Sequence, residues 1–291
     1  MGDLLIIVIK IYKKKIMKFT IIINTKNQNE TLERAINSCL KQAYSNFEII
    51  VSDLNVKKNL TIKNRFKKNK KITFLDLKEK FLKPTQNQLY AISKALAISR
   101  GKYILLLDGD DYFDKKKITY LNYQINKGGK NFLMDSPIIF HESKNAEIKK
   151  IKIKKYKNYF FYNFFINSWP SISCTSGITI KKEILNNFFK KTNPFKWKHL
   201  AIDIQLAIFY LLNNKIFYLK NNLTFKSVNK NNLDKKYSNY LNKNYWIRRY
   251  EQHNFYYSFK KNAKYFKGLD YYLTKIFFSI INIKNKKQIV I

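Results

Sequence analysis

The stretch Tyr103-Ile104-Leu105-Leu106-Leu107-Asp108-Gly109-Asp110-Asp111 decides the fold. Five apolar residues in a row, ended by acids, read as a short strand buried on both faces of a sheet. In open α/β sheets, ligands bind in the crevice outside the carboxyl ends of the strands. Asp108, Asp110 and Asp111 stand at such an end. Two carboxylates at i and i+2, with Gly109 between them permitting a tight turn, can converge on one hard cation. The alternative is a solvated acidic turn that caps the next helix. The charge balance weighs against it. The chain has 57 Lys and Arg but only 19 Asp and Glu, so three carboxylates within four residues do not sample an acidic surface.

Working outward, the preceding segments alternate between strand and helix. Phe19-Thr20-Ile21-Ile22-Ile23 is a β-rich apolar run, and residues 24–29 are a polar loop. Leu32, Ala35, Ile36, Cys39 and Leu40 recur at helical spacing, with Glu30 and Glu33 in the first turn. Phe47-Glu48-Ile49-Ile50-Val51 is a second strand, ending at Ser52-Asp53. Strand–helix–strand is the unit of a parallel sheet. Residues 57–71 read as a basic surface helix and residues 72–75 as a third strand. Pro84-Thr85 opens a helix through Leu89, Ile92 and Leu96 that Gly101 closes. Beyond residue 130 the spacing becomes irregular. Residues 132–134, 138–140 and 178–180 read as strands and 200–212 as a helix, while 148–162 is basic and aromatic without clear periodicity.

Composition bounds the rest. The 291 residues are 45% hydrophobic, enough to fill a core, and the formal charge is +38. Such charge attracts phosphates and anionic membrane surfaces. The basic residues are spread along the chain and are mostly Lys, so no nucleic-acid partner is expected. Two cysteines, Cys39 and Cys174, form no CxxC pair and imply neither a zinc site nor a disulfide framework. A cytoplasmic setting, with contact at the inner face of the cell membrane, fits both features. Residues 1–16 carry a short apolar run with charges misplaced for a signal peptide, and read as a loose extension before a first strand that starts after Met17.

The chain resembles the family 2 glycosyltransferases of the GT-A fold. The resemblance runs through Phe19-Thr20-Ile21-Ile22-Ile23-Asn24-Thr25-Lys26-Asn27, through residues 32–42 and 46–53, and through Gly101 to Asp111, with a weaker echo at Thr175-Ser176-Gly177-Ile178-Thr179-Ile180. It implies an α/β fold with a Rossmann-like, mostly parallel sheet flanked by helices, and an inverting transfer of sugar from a nucleotide-sugar, a UDP-sugar foremost, to a saccharide or lipid-linked acceptor in bacterial surface-glycan assembly. It further implies that Thr25 and its loop contact the nucleotide, that Asp53 lies by the base and ribose, that Asp108 approaches ribose or metal, and that Asp110 ligates Mn2+ or Mg2+ on the diphosphate. Asp203 becomes the candidate base; its alternative is a helix N-terminal carboxylate favoured by the macrodipole. His199 could assist Asp203, or lie on the surface. The chain departs from the family where Leu54 stands in place of a carboxylate that reads the base in some members. Lys26 either compensates by pairing with phosphate or is solvated. Ser176-Gly177 either borders the acceptor or makes a turn before a strand. Trp169 either lines a sugar groove or packs in the core.

Three segments follow: the extension 1–16, a catalytic domain over 17–225, and a basic, aromatic helical appendage over 226–291. In the last, Tyr272, Ile276, Phe277, Ile280 and Ile281 recur at helical spacing. Lys260, Lys261, Lys264 and Lys267 precede them, and Lys284, Lys286 and Lys287 follow. Such a segment either lies on an anionic bilayer or packs against the catalytic domain.

Overall fold

The computed structural model describes residues 19–141, 149–150, 174–212, 214–228, 237, 239–259 and 268–287. The extension 1–16, most of the stretch 148–162, Trp169 and the lysines between 260 and 267 lie outside the described residues.

A first half of alternating units builds the sheet. In order they are β1 (Phe19–Thr25), α1 (Asn29–Leu40), β2 (Phe47–Asp53), α2 (Val56–Phe66), β3 (Ile72–Asp76), α3 (Pro84–Ile98) and β4 (Tyr103–Asp108). Then come β5 (Tyr112–Phe113), α4 (Lys117–Gly128), β6 (Phe132–Met134), β7 (Pro137–His141), β8 (Lys149–Lys150), β9 (Ile178–Lys181), α5 (Lys182–Lys191), α6 (Ile202–Leu211), β10 (Phe217–Tyr218) and β11 (Thr224–Val228). Two helices close the chain, α7 (Lys243–Ser258) and α8 (Leu269–Lys287). The main sheet has seven strands in the order β10-β6-β9-β4-β1-β2-β3. β4, β1, β2 and β3 are mutually parallel, whereas β9 runs antiparallel to both β4 and β6. A smaller sheet, β5-β11-β7-β8, stands beside it.

The apolar runs are long because both sheet faces are covered. On β1, Phe19, Ile21 and Ile23 pack with Leu32, Ala35, Ile36 and Cys39 of α1, while Ile22 faces α3 and its Leu89, Ile92 and Ala95. Cys39 is fully buried, as its helical spacing requires. At about 1.5–3 kcal/mol per large apolar side chain buried, these two layers are the main stabilising contribution. The helix expected over 57–71 ends at Phe66, because residues 67–71 turn into β3. α3 begins with Pro84 at its first position and ends at Ser99, two residues before Gly101. Gly101 serves a different purpose: a Cβ there would lie 2.4 Å from the Thr20 backbone nitrogen. Only glycine lets the start of β4 approach β1 so closely. β11 runs across position 225, so the strand is shared by the segments expected to divide there.

This topology creates the crevice. From β1 the chain proceeds to β2 and β3 on one side, then returns to place β4 on the other. The order therefore reverses between β1 and β4, and their carboxyl-end loops, residues 24–28 and 108–111, diverge there.

Candidate active site

A cavity of about 450 Å³ opens at this switch point. Asn24, Lys26 and Gln28 from the β1 loop form one wall, and Asp108, Asp110 and Asp111 from the β4 turn form the floor. Asp203 on α6, Lys226 and Ser227 on β11, and Arg248 on α7 close the opposite side.

The acidic turn is held from below. The Gly109 N–H donates to the Asn24 carbonyl at 2.9 Å, locking the turn to the β1 loop. A Cβ on Gly109 would lie 2.5 Å from Gln28 Oε1 and 2.7 Å from Thr25 Oγ1, so no larger residue fits. Ser176, fully buried, knits the turn together. Its hydroxyl donates to Asp111 Oδ2 at 2.6 Å and accepts from the Asp108 N–H at 3.0 Å. The Ser227 N–H donates to Asp111 Oδ1 at 2.9 Å. Arg34 spans from the Asp110 carbonyl (2.8 Å) to the Ser227 hydroxyl (2.7 Å), tying α1 and β11 to the turn. Beneath lies a buried ion pair. Lys117 Nζ contacts Asp135 Oδ1 at 2.8 Å, the Ser176 carbonyl at 3.1 Å and Thr224 Oγ1 at 2.5 Å.

Crowded carboxylates raise one another's proton affinity. Burial, then the charges of Asp111 and Asp110, push Asp108 well above the usual carboxylate range, and Asp203 adds to this. Gln88 Nε2, donating to Asp108 Oδ1 at 2.9 Å, opposes the shift. Burial and the neighbouring Asp110 push Asp111 up to about 7. Lys226 opposes the shift of Asp111. Among the described residues, no group of three Asp, Glu, His or Cys side chains is arranged to hold an ion alone. Mg2+ is commonly bound through one or two carboxylates plus substrate phosphates. The hard oxygen donors of Asp108 and Asp110 fit such a partial site.

The residues singled out in the sequence divide into two sets. Asp108, Asp110, Asp203 and Lys26 line one cavity. Thr25 and Asp53 are buried and are not among the residues that line it. The Thr25 hydroxyl donates to Gln28 Oε1 at 3.1 Å under Gly109. Asp53 turns toward α2, where its carboxylate accepts from the Asn55 N–H at 2.9 Å and from Asn59 Nδ2 at 3.0 Å. Burial raises its proton affinity. Lys26 is neither bare nor simply solvated: its Nζ pairs with Glu79 at 2.8 Å. Ser176 is a buried support of the turn, and its neighbour Thr175 lines the cavity. His199 is half-buried outside the cavity wall, and burial together with Lys83 and Arg248 lowers its pKa to about 4.

Leu54, the departure noted in the sequence, lies in the wall, its N–H bonded to the Thr25 carbonyl at 3.0 Å. Glu79, a wall residue that carried no sequence signal, accepts at Oε1 from the buried Asn87 Nδ2 at 2.9 Å. Asn24 Oδ1 is shielded from water and accepts no hydrogen bond among the described residues.

Comparison with known proteins points one way. The family described as Glycosyl transferase family 2 matches residues 20–189. The UDP-Glc:alpha-D-GlcNAc-diphosphoundecaprenol beta-1,3-glucosyltransferase of Escherichia coli is 32% identical over 123 residues, covering 37% of this chain and 47% of its own. Two solved structures share the fold. TarS of S. aureus, crystallised with UDP-GlcNAc, superposes with a TM-score of 0.60 at 15% identity over 90% of this chain and 70% of that one. A mannosyltransferase of Pyrobaculum calidifontis, bound to GDP-Man and Mn2+, gives 0.56 at 12% identity over 84% of this chain and 65% of its own.

Proposed function

Because this chain belongs to glycosyl transferase family 2, we propose that it is an inverting glycosyltransferase that moves a sugar from a nucleotide-sugar to a saccharide or lipid-linked acceptor in bacterial surface-glycan assembly, at the cytoplasmic face of the membrane. The observation that carries the reading is the meeting of Asp108, Asp110 and Asp203, from two distant parts of the chain, in one cavity at the sheet's switch point. A UDP-sugar is the donor we favour, in keeping with the name of the E. coli relative.

In this reading the base lies toward β3 and the diphosphate over the β4 turn. β3 and β4 are three strand spacings apart, about 14 Å, a span suited to a nucleoside diphosphate. At the base end Leu54 supplies an apolar wall. Glu79, positioned by Asn87, accepts from a base N–H, and Lys26 donates to a base carbonyl. At the other end Asp110 and Asp108 would hold Mn2+ or Mg2+, which when bound neutralises the diphosphate oxygens as they gain charge on departure. Lys226 and Arg248 add fixed positive charge on the far wall.

In this reading Asp203 acts on the acceptor. It sits in the first turn of α6, within electrostatic reach of Asp108 and facing the cavity. It takes the proton from the acceptor hydroxyl as that oxygen attacks the anomeric carbon and the bond to the diphosphate oxygen breaks. Attack opposite the leaving group inverts the carbon. Asp203→Asn should bind donor as the native chain does and lose transfer by about 10²–10⁴-fold, the contribution general bases make. Retained turnover would remove Asp203 from this role. If donor binds but the native chain transfers nothing to any saccharide or lipid-linked acceptor, a non-catalytic nucleotide-sugar-binding relative is the better reading; the substitution at Leu54 is the feature that would favour it.

A further inference from the structure

The two terminal helices present a surface that the transferase reading does not use. On α8, Tyr271 and Thr274 are buried, and Phe278 stacks on Tyr250 of α7 with ring centroids 4.2 Å apart. The side turned away carries Leu269, Tyr272, Leu273, Ile276 and Ile280, each 42–54% exposed. Their spacing of i, i+3, i+4, i+7 and i+11 makes one continuous stripe, about 16 Å long at the helical rise. An exposed apolar stripe of this kind marks an interaction surface. No helix among the described residues is long and apolar enough to cross a membrane.

Charge identifies the occupant. The only acid in the α8 sequence is Asp270, and it turns inward, where Arg249 Nη2 donates to its Oδ1 at 2.5 Å and His253 Nε2 lies 2.6 Å from Oδ2. Lys275 is exposed beside the stripe, and the sequence of the last turn adds Lys284, Lys286 and Lys287. An apolar face beside the exposed Lys275, on a chain of net charge +38, complements an anionic bilayer surface.

We propose that the outer face of α8 inserts in the plane of an anionic membrane and seats the cavity beside it. The link is α7. Its Trp246 stacks on Phe277 at 4.3 Å and its Tyr250 on Phe278, while Arg248 between them points into the cavity. Helices are about 10–12 Å across with their side chains, so lipid on the outer face of α8 is separated from the cavity wall by two helices, roughly 20 Å. A lipid-linked acceptor would then extend its saccharide toward Asp203 while its lipid stays in the bilayer.

This attachment rests on the proposed function only for its purpose. Vesicle sedimentation uses neither donor nor acceptor, so its failure is told apart from a failure of the transferase reading. The full chain should pellet with phosphatidylglycerol-containing vesicles far more than with phosphatidylcholine vesicles, and less as salt rises. Ile276→Glu/Ile280→Glu should lower the partition coefficient at least tenfold while leaving the melting temperature and any donor-induced stabilisation unchanged. In the native chain, brominated acyl chains should quench the fluorescence lost in Trp246→Phe. Equal partition of the variant and native chains would overturn the proposal, as would a native chain that stays in the supernatant. So would a lipid-free dimer that Ile276→Glu dissociates, which would assign the stripe to a second copy.

Discussion

Replacing Lys117 by Met removes the cation under the acidic turn while keeping the side chain's length. Lys117 is 0% exposed, and so is Asp135. The ammonium contacts one carboxylate, one carbonyl and one hydroxyl, and its centre lies 4.0 Å from the Phe113 ring. Met fills the channel but leaves Asp135 Oδ1 buried without its counter-ion. Breaking a buried pair by removing one partner costs about 3–5 kcal/mol. At about 2–4 °C per kcal/mol for a chain of this size, the melting temperature should fall by roughly 6–20 °C. The double variant Lys117→Met/Asp135→Leu should be more stable than the sum of its singles, since neither charge is stranded. It will not recover fully, because the Leu223 N–H loses its acceptor, Asp135 Oδ2, at about 1–3 kcal/mol. Thermal melts of the four proteins settle the matter. A Lys117→Met chain melting within about 2 °C of the native one, or strictly additive singles, would refute the reasoning.

Three further outcomes follow from the site. Gly109→Ala must push against Thr25, which is buried and cannot yield as a free side chain would; donor affinity should drop on the order of tenfold, equivalent to about 1.4 kcal/mol, measured by calorimetry. Glu79→Ala should weaken binding of the nucleoside diphosphate and of the nucleotide-sugar to the same extent, because Glu79 stands at the base end of the cavity; a loss confined to one of them would contradict that placement. Glu251, buried against the N–H groups of residues 198–200, has its pKa pushed up to about 7 by burial, from 4.5. The folded state therefore holds its proton where the unfolded state has lost it, and the stability this supplies is full below pH 4.5 and gone once pH rises through 7. Glu251→Gln should accordingly gain melting temperature relative to the native chain as pH rises across that window, and a constant difference would count against the assignment.

How much of this was legible in the sequence depends on what each residue type reveals. Strands such as Ile21-Ile22-Ile23 and Leu105-Leu106-Leu107 announce themselves because both faces are buried and every position must be apolar. β11 did not, since only Thr224 and Ser227 of Thr224-Phe225-Lys226-Ser227-Val228 are buried, and both are polar. Asp108 and Asp110 stood out in the sequence because carboxylates are scarce in this chain, and Asp203 stood out through the family resemblance. The orientation of Thr25 and Asp53 did not, because the side a strand-end residue presents is set by its partners, here Gln28 and Asn59. Ser176 and Lys117 were hidden for the same reason: a serine in a turn and a lysine among many reveal their burial only once β9, β11 and α4 are brought together. The rows of apolar residues in α8 announced a face, and its packing on α7 showed which side of the helix faces away.

The central claim is that the carboxylates ending β4 hold a divalent cation on the donor's diphosphate. The most direct test is calorimetric binding of UDP-sugar, with GDP-sugar alongside, in the presence of Mn2+ and after chelation, for the native chain and Asp110→Ala. Donor should bind the native chain at least tenfold more tightly with Mn2+ than without, and Asp110→Ala should lose that difference while melting like the native chain. The same affinity with and without the ion, or an Mn2+ dependence that survives in Asp110→Ala, would contradict the account.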